Sequence, residues 1–196
     1  TFEVLDPPQS AAIVAELQAV SDQWLAHHAG GEKGFTMGGF HPGYVARFPI
    51  AAVRFNGALV AFATLWTTPD RRVFSMDLMR YADDAPKNVM DFLFVELLNW
   101  GKAEGYGRFE FGVAPLAGLA DRRLAPLMTR MGRVLFERGE EIYNFQGDRR
   151  YKDKYDPVWR PRYVAAPSKW AIPVILAAVG LLSSGGMAGL AKRPAG

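Results

Sequence analysis

Apolar residues recur at helical spacing between positions 9 and 27, at Ile13, Val14, Leu17, Val20, Trp24 and Leu25. That spacing lines one face of a helix, and Ser10 stands where an N-cap oxygen is needed. Gly30, Gly31 and Gly34 then mark a loop. Residues 45–55 and 58–66 read as two strands joined by Asn56-Gly57, a dipeptide that accepts the positive φ of a tight hairpin. Residues 72–79 read as a third strand. Asp84-Ala-Pro86, with proline in the first turn, opens a helix that runs to about Glu104 and is closed by Gly105 and Gly107. A strand over 108–113, a mostly helical stretch over 119–138 and a strand over 141–145 complete the series. Helix, antiparallel strands, helix, strand, helix, strand is an α+β order, with one mixed, mostly antiparallel sheet flanked by helices.

The pattern changes near the C-terminus. From Trp170 to Leu190 there is no charged residue, with Lys169 on one side and Lys192-Arg193 on the other. The length just reaches that of a bilayer span. Pro173, Gly180, Ser183, Ser184, Gly185 and Gly186 interrupt it, and the continuous apolar part is only residues 171–182. A helix lying in a membrane interface or docked on the core fits better than a span. The predicted organisation is a folded domain over 1–167 and an apolar helix and tail over 168–196.

Composition narrows the chemistry. The 196 residues are 49% hydrophobic and 22% charged, ordinary for a globular chain long enough to bury a core. The absence of cysteine excludes disulfides, thiolate metal sites and a cysteine nucleophile. His27 and His28 are adjacent and His41 stands alone, so no metal site is expected. The chain begins at Thr1 without a methionine or signal peptide and reads as a piece of something longer. A formal charge of +3 is only mildly basic, so any anionic partner must be met locally.

The local candidate is the segment from Tyr143 to Tyr163. Arg149, Arg150, Lys152, Lys154, Arg160 and Arg162 lie there among aromatic residues, with Asp148, Asp153 and Asp156 between them. Cations interleaved with Tyr and Trp suit a phosphate-bearing partner: the cations take the charge while the rings support bases, sugars or lipid. The plain structural alternative is a solvated, salt-bridged turn at a sheet edge.

Two further places could carry chemistry. In Ser75-Met-Asp-Leu-Met-Arg80, strand alternation would put Asp77 and Met79 on one face and Leu78 and Arg80 on the other. Near the strand's end, a carboxylate and a guanidinium could hold an ammonium group and an ester or phosphate oxygen, or simply pair with each other. Glu110, in Arg108-Phe-Glu-Phe-Gly112, is a candidate acid/base or an ordinary half-exposed charge. Asp121-Arg-Arg123 and the span from Arg130 to Arg138 form a second basic zone, most simply a solvated helix face. No Gly-x-Ser-x-Gly elbow supports a hydrolase. The element order fits the GNAT acyltransferase architecture. Yet the turn at Tyr81-Ala-Asp-Asp-Ala-Pro-Lys-Asn88 has two carboxylates and no glycine, which argues against a coenzyme A pyrophosphate at that helix N-terminus.

Taken together, Glu32-Lys-Gly-Phe35, Asp77-Leu-Met-Arg80, Val89-Met-Asp-Phe-Leu93, Gly112-Val-Ala-Pro-Leu116, Tyr143-Asn-Phe145, Arg150-Tyr-Lys-Asp-Lys-Tyr-Asp-Pro157 and Trp159-Arg-Pro-Arg-Tyr163 form a specific combination. Over residues 30–167 the chain resembles the C-terminal cytosolic domain of bacterial aminoacyl-phosphatidylglycerol synthases, the phosphatidylglycerol lysyltransferase or multiple peptide resistance factor family. The resemblance implies a GNAT-like fold in two halves with a tunnel between them, of which this chain would hold mainly the second. It also implies transfer of an aminoacyl group, lysyl in preference to alanyl, from aminoacyl-tRNA to a glycerol hydroxyl of phosphatidylglycerol, without a cofactor. Such transfer would reduce membrane negative charge and give resistance to cationic antimicrobial peptides. Asp77, Arg80 and Lys152 match the family's polar reaction centre. Tyr143, Arg149, Arg150, Lys154 and Arg162 would bind the lipid phosphate or the tRNA, and Asp148 stands where the family motif more usually has Leu. The implied partners are the tRNA, the lipid, a membrane surface, the other GNAT half and a membrane flippase portion, at the cytoplasmic face of the inner membrane. The competing classes are a non-catalytic tRNA- or lipid-binding half-domain and an acyl-CoA-dependent N-acyltransferase.

Overall fold

The computed structural model describes residues 1–27, 39–114, 145–163, 165–168 and 170–183. They fall into two compact units, one built on Thr1–Glu110 and the described residues after 164, the other on Phe111–Tyr163.

In the first unit the sheet has five strands in the order of the chain: β1 (Phe2–Leu5), β2 (Ile50–Phe55), β3 (Ala58–Thr67), β4 (Phe74–Tyr81) and β5 (Phe109–Glu110). The first four are antiparallel neighbours and β5 joins β4 in parallel, Phe74 opposite Phe109. A parallel neighbour needs a crossover, and α3 (Val89–Ala103) supplies it. α1 (Ala11–His27) and the short α2 (Pro42–Val45) come between β1 and β2. The result is the mixed, mostly antiparallel α+β sheet that the pattern predicts.

Asn56 and Gly57 both have positive φ, 51° and 85°, as a two-residue hairpin between right-twisted strands requires. The Ser10 hydroxyl accepts the Ile13 backbone N–H at 3.3 Å, capping α1. Each face of the sheet buries its own core. Ala51, Val53, Ala61, Ala63, Leu65 and Phe74 pack with Val89, Leu93 and Leu97 of α3. Ile50, Ala52, Phe62 and Leu78 pack with Leu17 and Val20 of α1 and Val45 of α2. Burial on both faces explains why β2 and β3 read as nearly continuous apolar runs.

Several expected boundaries shift. Val45 ends a helical turn opened by Pro42, and β2 starts only at Ile50. The short edge strand β1, with no alternation long enough to read, is additional to the prediction. Pro86 belongs to a turn whose carbonyl accepts the Val89 N–H at 2.9 Å, so α3 begins three residues later than expected. β5 is two residues long, and Gly112, with φ 79°, bends the chain soon after it. The expected helix over 119–138 and the loop glycines Gly30, Gly31 and Gly34 lie outside the described residues.

In the second unit Phe145 opens a helix, α4 (Phe145–Asp153), where a strand was expected to end. The basic segment is therefore helical in its first half, and its described residues after Tyr155 form no regular element. Near the C-terminus, α5 (Ala171–Ser183) has 13 residues, none charged. At about 1.5 Å per residue it is roughly 20 Å long. Among the described residues no helix is long and apolar enough to cross a membrane.

Candidate active site

The centre of the first unit's polar site is an irregularity in the ladder between β3 and β4. Ala63 stands opposite Met79 and Leu65 opposite Met76, so Thr64 alone faces two residues, Asp77 and Leu78. This is a β-bulge, and it is closed locally: fully buried Thr64 accepts the Leu78 backbone N–H on its Oγ1 at 2.9 Å. A bulge inserts one residue and so reverses which face later side chains take. Phe74 and Met76 lie with the α3 core, whereas Leu78 packs among Leu17 and Phe62 on the α1 side.

Simple alternation, which separates Asp77 from Leu78 and Arg80, is corrected by that bulge. Asp77 reaches the helix side too, where Oδ2 accepts the Tyr44 hydroxyl of α2 at 2.7 Å. Arg80 is buried, 6% exposed, with its guanidinium 3.9 Å from the centroid of the Trp24 ring of α1. A buried cation must be compensated, and the indole face supplies part of that. Asp77 and Arg80 therefore sit on one face, each held by an aromatic side chain from a helix. Burial, and then the neighbouring Asp77 carboxylate, raise the Tyr44 hydroxyl above the ordinary tyrosine value, so Tyr44 stays a proton donor.

Beside this site, the loop entering α3 carries Asp83 and Asp84 and no glycine. The Asp83 carboxylate lies 3.1 Å from His27 Nδ1, and its N–H is donated to Gln23 Oε1 at 3.4 Å. Glu110 is exposed at the end of β5 and paired with Arg108 at 3.1 Å, the arrangement of an ordinary surface charge.

In the second unit the candidate cations divide by environment. Lys152 Nζ donates to Asp148 Oδ2 at 2.9 Å and to the Val113 carbonyl at 3.3 Å. The unusual Asp148 thus has a partner one helical turn away. Arg149 lies 3.7 Å from Asp153 and 4.7 Å from the centroid of Trp159, whose indole N–H is donated to Asp153 at 2.7 Å. Lys154 stands over the Tyr151 ring at 4.6 Å. Arg150, Arg160 and Arg162 are exposed and, among the described residues, make no ion pair. Tyr143 lies outside the described residues.

Thr64, Trp24 and Tyr44 escape sequence reasoning as parts of the site. Tyr44 is 33 positions from the carboxylate it contacts, and no spacing rule connects the two. Among the described residues no cluster of His, Asp or Glu is placed to hold a metal ion.

A mixed sheet with a strand–helix–strand crossover, and a bulged central strand presenting polar side chains, places the chain in the GNAT-like α+β class. Residues 1–166 match the family described as "Phosphatidylglycerol lysyltransferase, C-terminal", and the chain belongs to that family. The phosphatidylglycerol lysyltransferase of Bacillus subtilis is 40% identical over 166 residues, covering 84% of this chain and 19% of that protein. The enzyme of the same name from Staphylococcus aureus is 36% identical over 165 residues, again 84% of this chain and 19% of its own length. The chain thus spans about a fifth of the curated relatives it matches. Among solved structures, the C-terminal domain of a protein assigned as a lysylphosphatidylglycerol synthetase from Agrobacterium fabrum superposes with a TM-score of 0.82 at 41% identity, over 95% of this chain and 56% of that one. L-PGS from Bacillus licheniformis gives 0.77 at 38% identity, over 93% and 55%.

Proposed function

We propose that this chain is the second half of a two-lobed aminoacyltransferase domain that moves a lysyl group from aminoacyl-tRNA to a glycerol hydroxyl of phosphatidylglycerol. The observation that carries the reading is the family match across residues 1–166, to relatives named for lysyl transfer to that lipid. Coverage of little more than half of each solved chain is consistent with one lobe of two.

The reaction asks little of the protein beyond placement. An aminoacyl ester is already activated, and exchange of one alcohol for another is nearly thermoneutral. The glycerol oxygen attacks the ester carbonyl carbon, the bond from that carbon to the ribose oxygen breaks, and the glycerol proton ends on the released ribose hydroxyl. Holding hydroxyl and carbonyl in contact supplies much of the acceleration. Asp77 holds the α-ammonium of the donor. Arg80 and Lys152 stabilise the oxyanion or the lipid phosphate, and Arg80 acts in a low-dielectric setting where its charge carries further. Arg150 and Arg162, exposed on the second unit, face phosphates of the lipid or of the acceptor end of the tRNA. Arg149 and Lys154 contribute more through the rings that hold them.

The apolar helix α5, with Trp170, Val174 and Leu182 exposed, lies at the bilayer surface on the cytoplasmic side, where charged tRNA is available. A lysyl ester adds two ammonium groups to a headgroup of one negative charge. The product therefore lowers the attraction of the membrane for cationic peptides. A small side-chain pocket would favour alanyl transfer instead.

The test is transfer of radiolabelled aminoacyl groups from charged bulk tRNA to phosphatidylglycerol vesicles, with chromatography of the lipid extract. It should be run on this chain and on one extended at its N-terminus. Labelled lipid, strongest with lysine, is expected. Activity only in the extended protein means that this chain is half an active site, and silence in both contradicts the proposal.

A further inference from the structure

Tyr44 is absorbed by neither the fold nor the proposed chemistry, yet it makes a short polar contact with the carboxylate at the centre of the site. It lies on α2, partly buried, with its ring 4.7 Å from that of Phe48. Its hydroxyl donates to Asp77 Oδ2 at 2.7 Å. The strand geometry reinforces this. Thr64, between Phe62 and Trp66 on β3, closes the bulge that turns Asp77 toward α2.

From this geometry we infer that Tyr44 is a positioning residue for the transfer reaction: its hydroxyl fixes the Asp77 carboxylate in the rotamer that receives the donor's ammonium group. The inference rests on the proposed role of Asp77. A hydrogen bond to a carboxylate oxygen removes rotamer freedom from the side chain that carries it. A carboxylate already aimed need not be ordered when substrate arrives.

The experiment uses the N-terminally extended protein active in lipid aminoacylation, with lysyl-tRNA and phosphatidylglycerol vesicles. Tyr44→Phe keeps the ring and its packing on Phe48 and deletes only the donor. It is expected to lower kcat about ten- to hundredfold while leaving KM for both substrates within about twofold. The decisive readout is coupling. In an Asp77→Glu background, where the carboxylate is displaced by a methylene, Tyr44→Phe should change the rate by less than about twofold. Multiplying losses in that background would show that Tyr44 acts independently of Asp77 and overturn the inference, as would a Tyr44→Phe enzyme of wild-type rate. If Asp77→Asn and Asp77→Glu themselves leave turnover intact, the assignment of Asp77 fails and Tyr44 falls with it. If they abolish or lower turnover while Tyr44→Phe does not, only the inference on Tyr44 fails.

Discussion

The Thr64 hydroxyl accepts the backbone N–H of Leu78 at 2.9 Å inside the sheet, at the point where one residue of β3 faces two of β4. A bulge leaves a backbone donor without a ladder partner, and a buried donor left unmet costs roughly 1–3 kcal/mol. A buried threonine among apolar neighbours therefore explains how the strand can turn Asp77 and Arg80 onto one face. The catalytic proposal depends on that turn.

Thr64→Val, which keeps the shape and removes the acceptor, should destabilise the protein by about 1–3 kcal/mol in chemical denaturation. Thr64→Ser should recover most of the loss. If valine is tolerated without change in midpoint, the hydroxyl does not hold the bulge.

Gly101 of α3 lies under the Phe74 ring: a Cβ built there would clash with the ring's Cζ and Cε1. Phe74 is 3% exposed and hemmed by Trp100, Tyr106 and Phe109, with centroids 5.6, 4.8 and 4.8 Å away. Gly101→Ala gains up to about 1 kcal/mol of helix propensity. Overpacking costs about 1–3 kcal/mol and should win. A lowered melting temperature is expected, and a raised one would mean that the aromatic cluster can move aside.

The raised pKa of Tyr44 has a defined sign in stability. The folded state favours the neutral phenol, so the contribution is complete below the unfolded tyrosine value of 10.0 and is lost as pH rises through the higher folded value. Stability from Tyr44 should be flat through neutral pH and decline only above about pH 10. Comparison of wild type with Tyr44→Phe in alkaline denaturation checks this, since the variant should lack that part of the decline.

Lys152 and Asp148 form a pair one turn apart on α4, with side-chain exposures of 12% and 28%. Lys152→Ala should lower lipid aminoacylation at least about tenfold if its charge serves the oxyanion or the lipid phosphate. Asp148→Leu should leave the rate within a few-fold, because the Val113 carbonyl still holds Lys152. Its stability cost should be about 0.5 kcal/mol or less. A large rate loss in Asp148→Leu would show that the pair, rather than the lysine alone, is required.

Where the chain announces its structure locally, the sequence is readable. Ser10 caps α1, Asn56-Gly57 turns the hairpin, and the heavily apolar β3 lies where expected, because each depends on nearest neighbours. β1 was not readable, since four residues on an edge gain their meaning only from pairing with residues 50–53. In the sequence Phe145 reads as the end of a strand, although the helix that follows carries its signal in Asp148–Lys152 and Arg149–Asp153 pairs at helical spacing. Asp77 and Arg80 could be picked out as a charged pair near a strand end. Their shared face could not, because it depends on a bulge set by Thr64 on the adjacent strand. Tyr44 and Trp24 were beyond reach for the same reason: they meet their partners only through tertiary packing.

The most direct test of the central claim, that the β4 pair forms the transfer centre, is the initial rate of lysyl transfer to phosphatidylglycerol by Arg80→Lys and Asp77→Asn variants of the N-terminally extended protein. Lysine keeps the charge of Arg80 but loses the planar fork that can lie against Trp24. The account predicts that each variant folds as the wild type does and transfers at least about a hundredfold more slowly. Near wild-type transfer by both well-folded variants would contradict it.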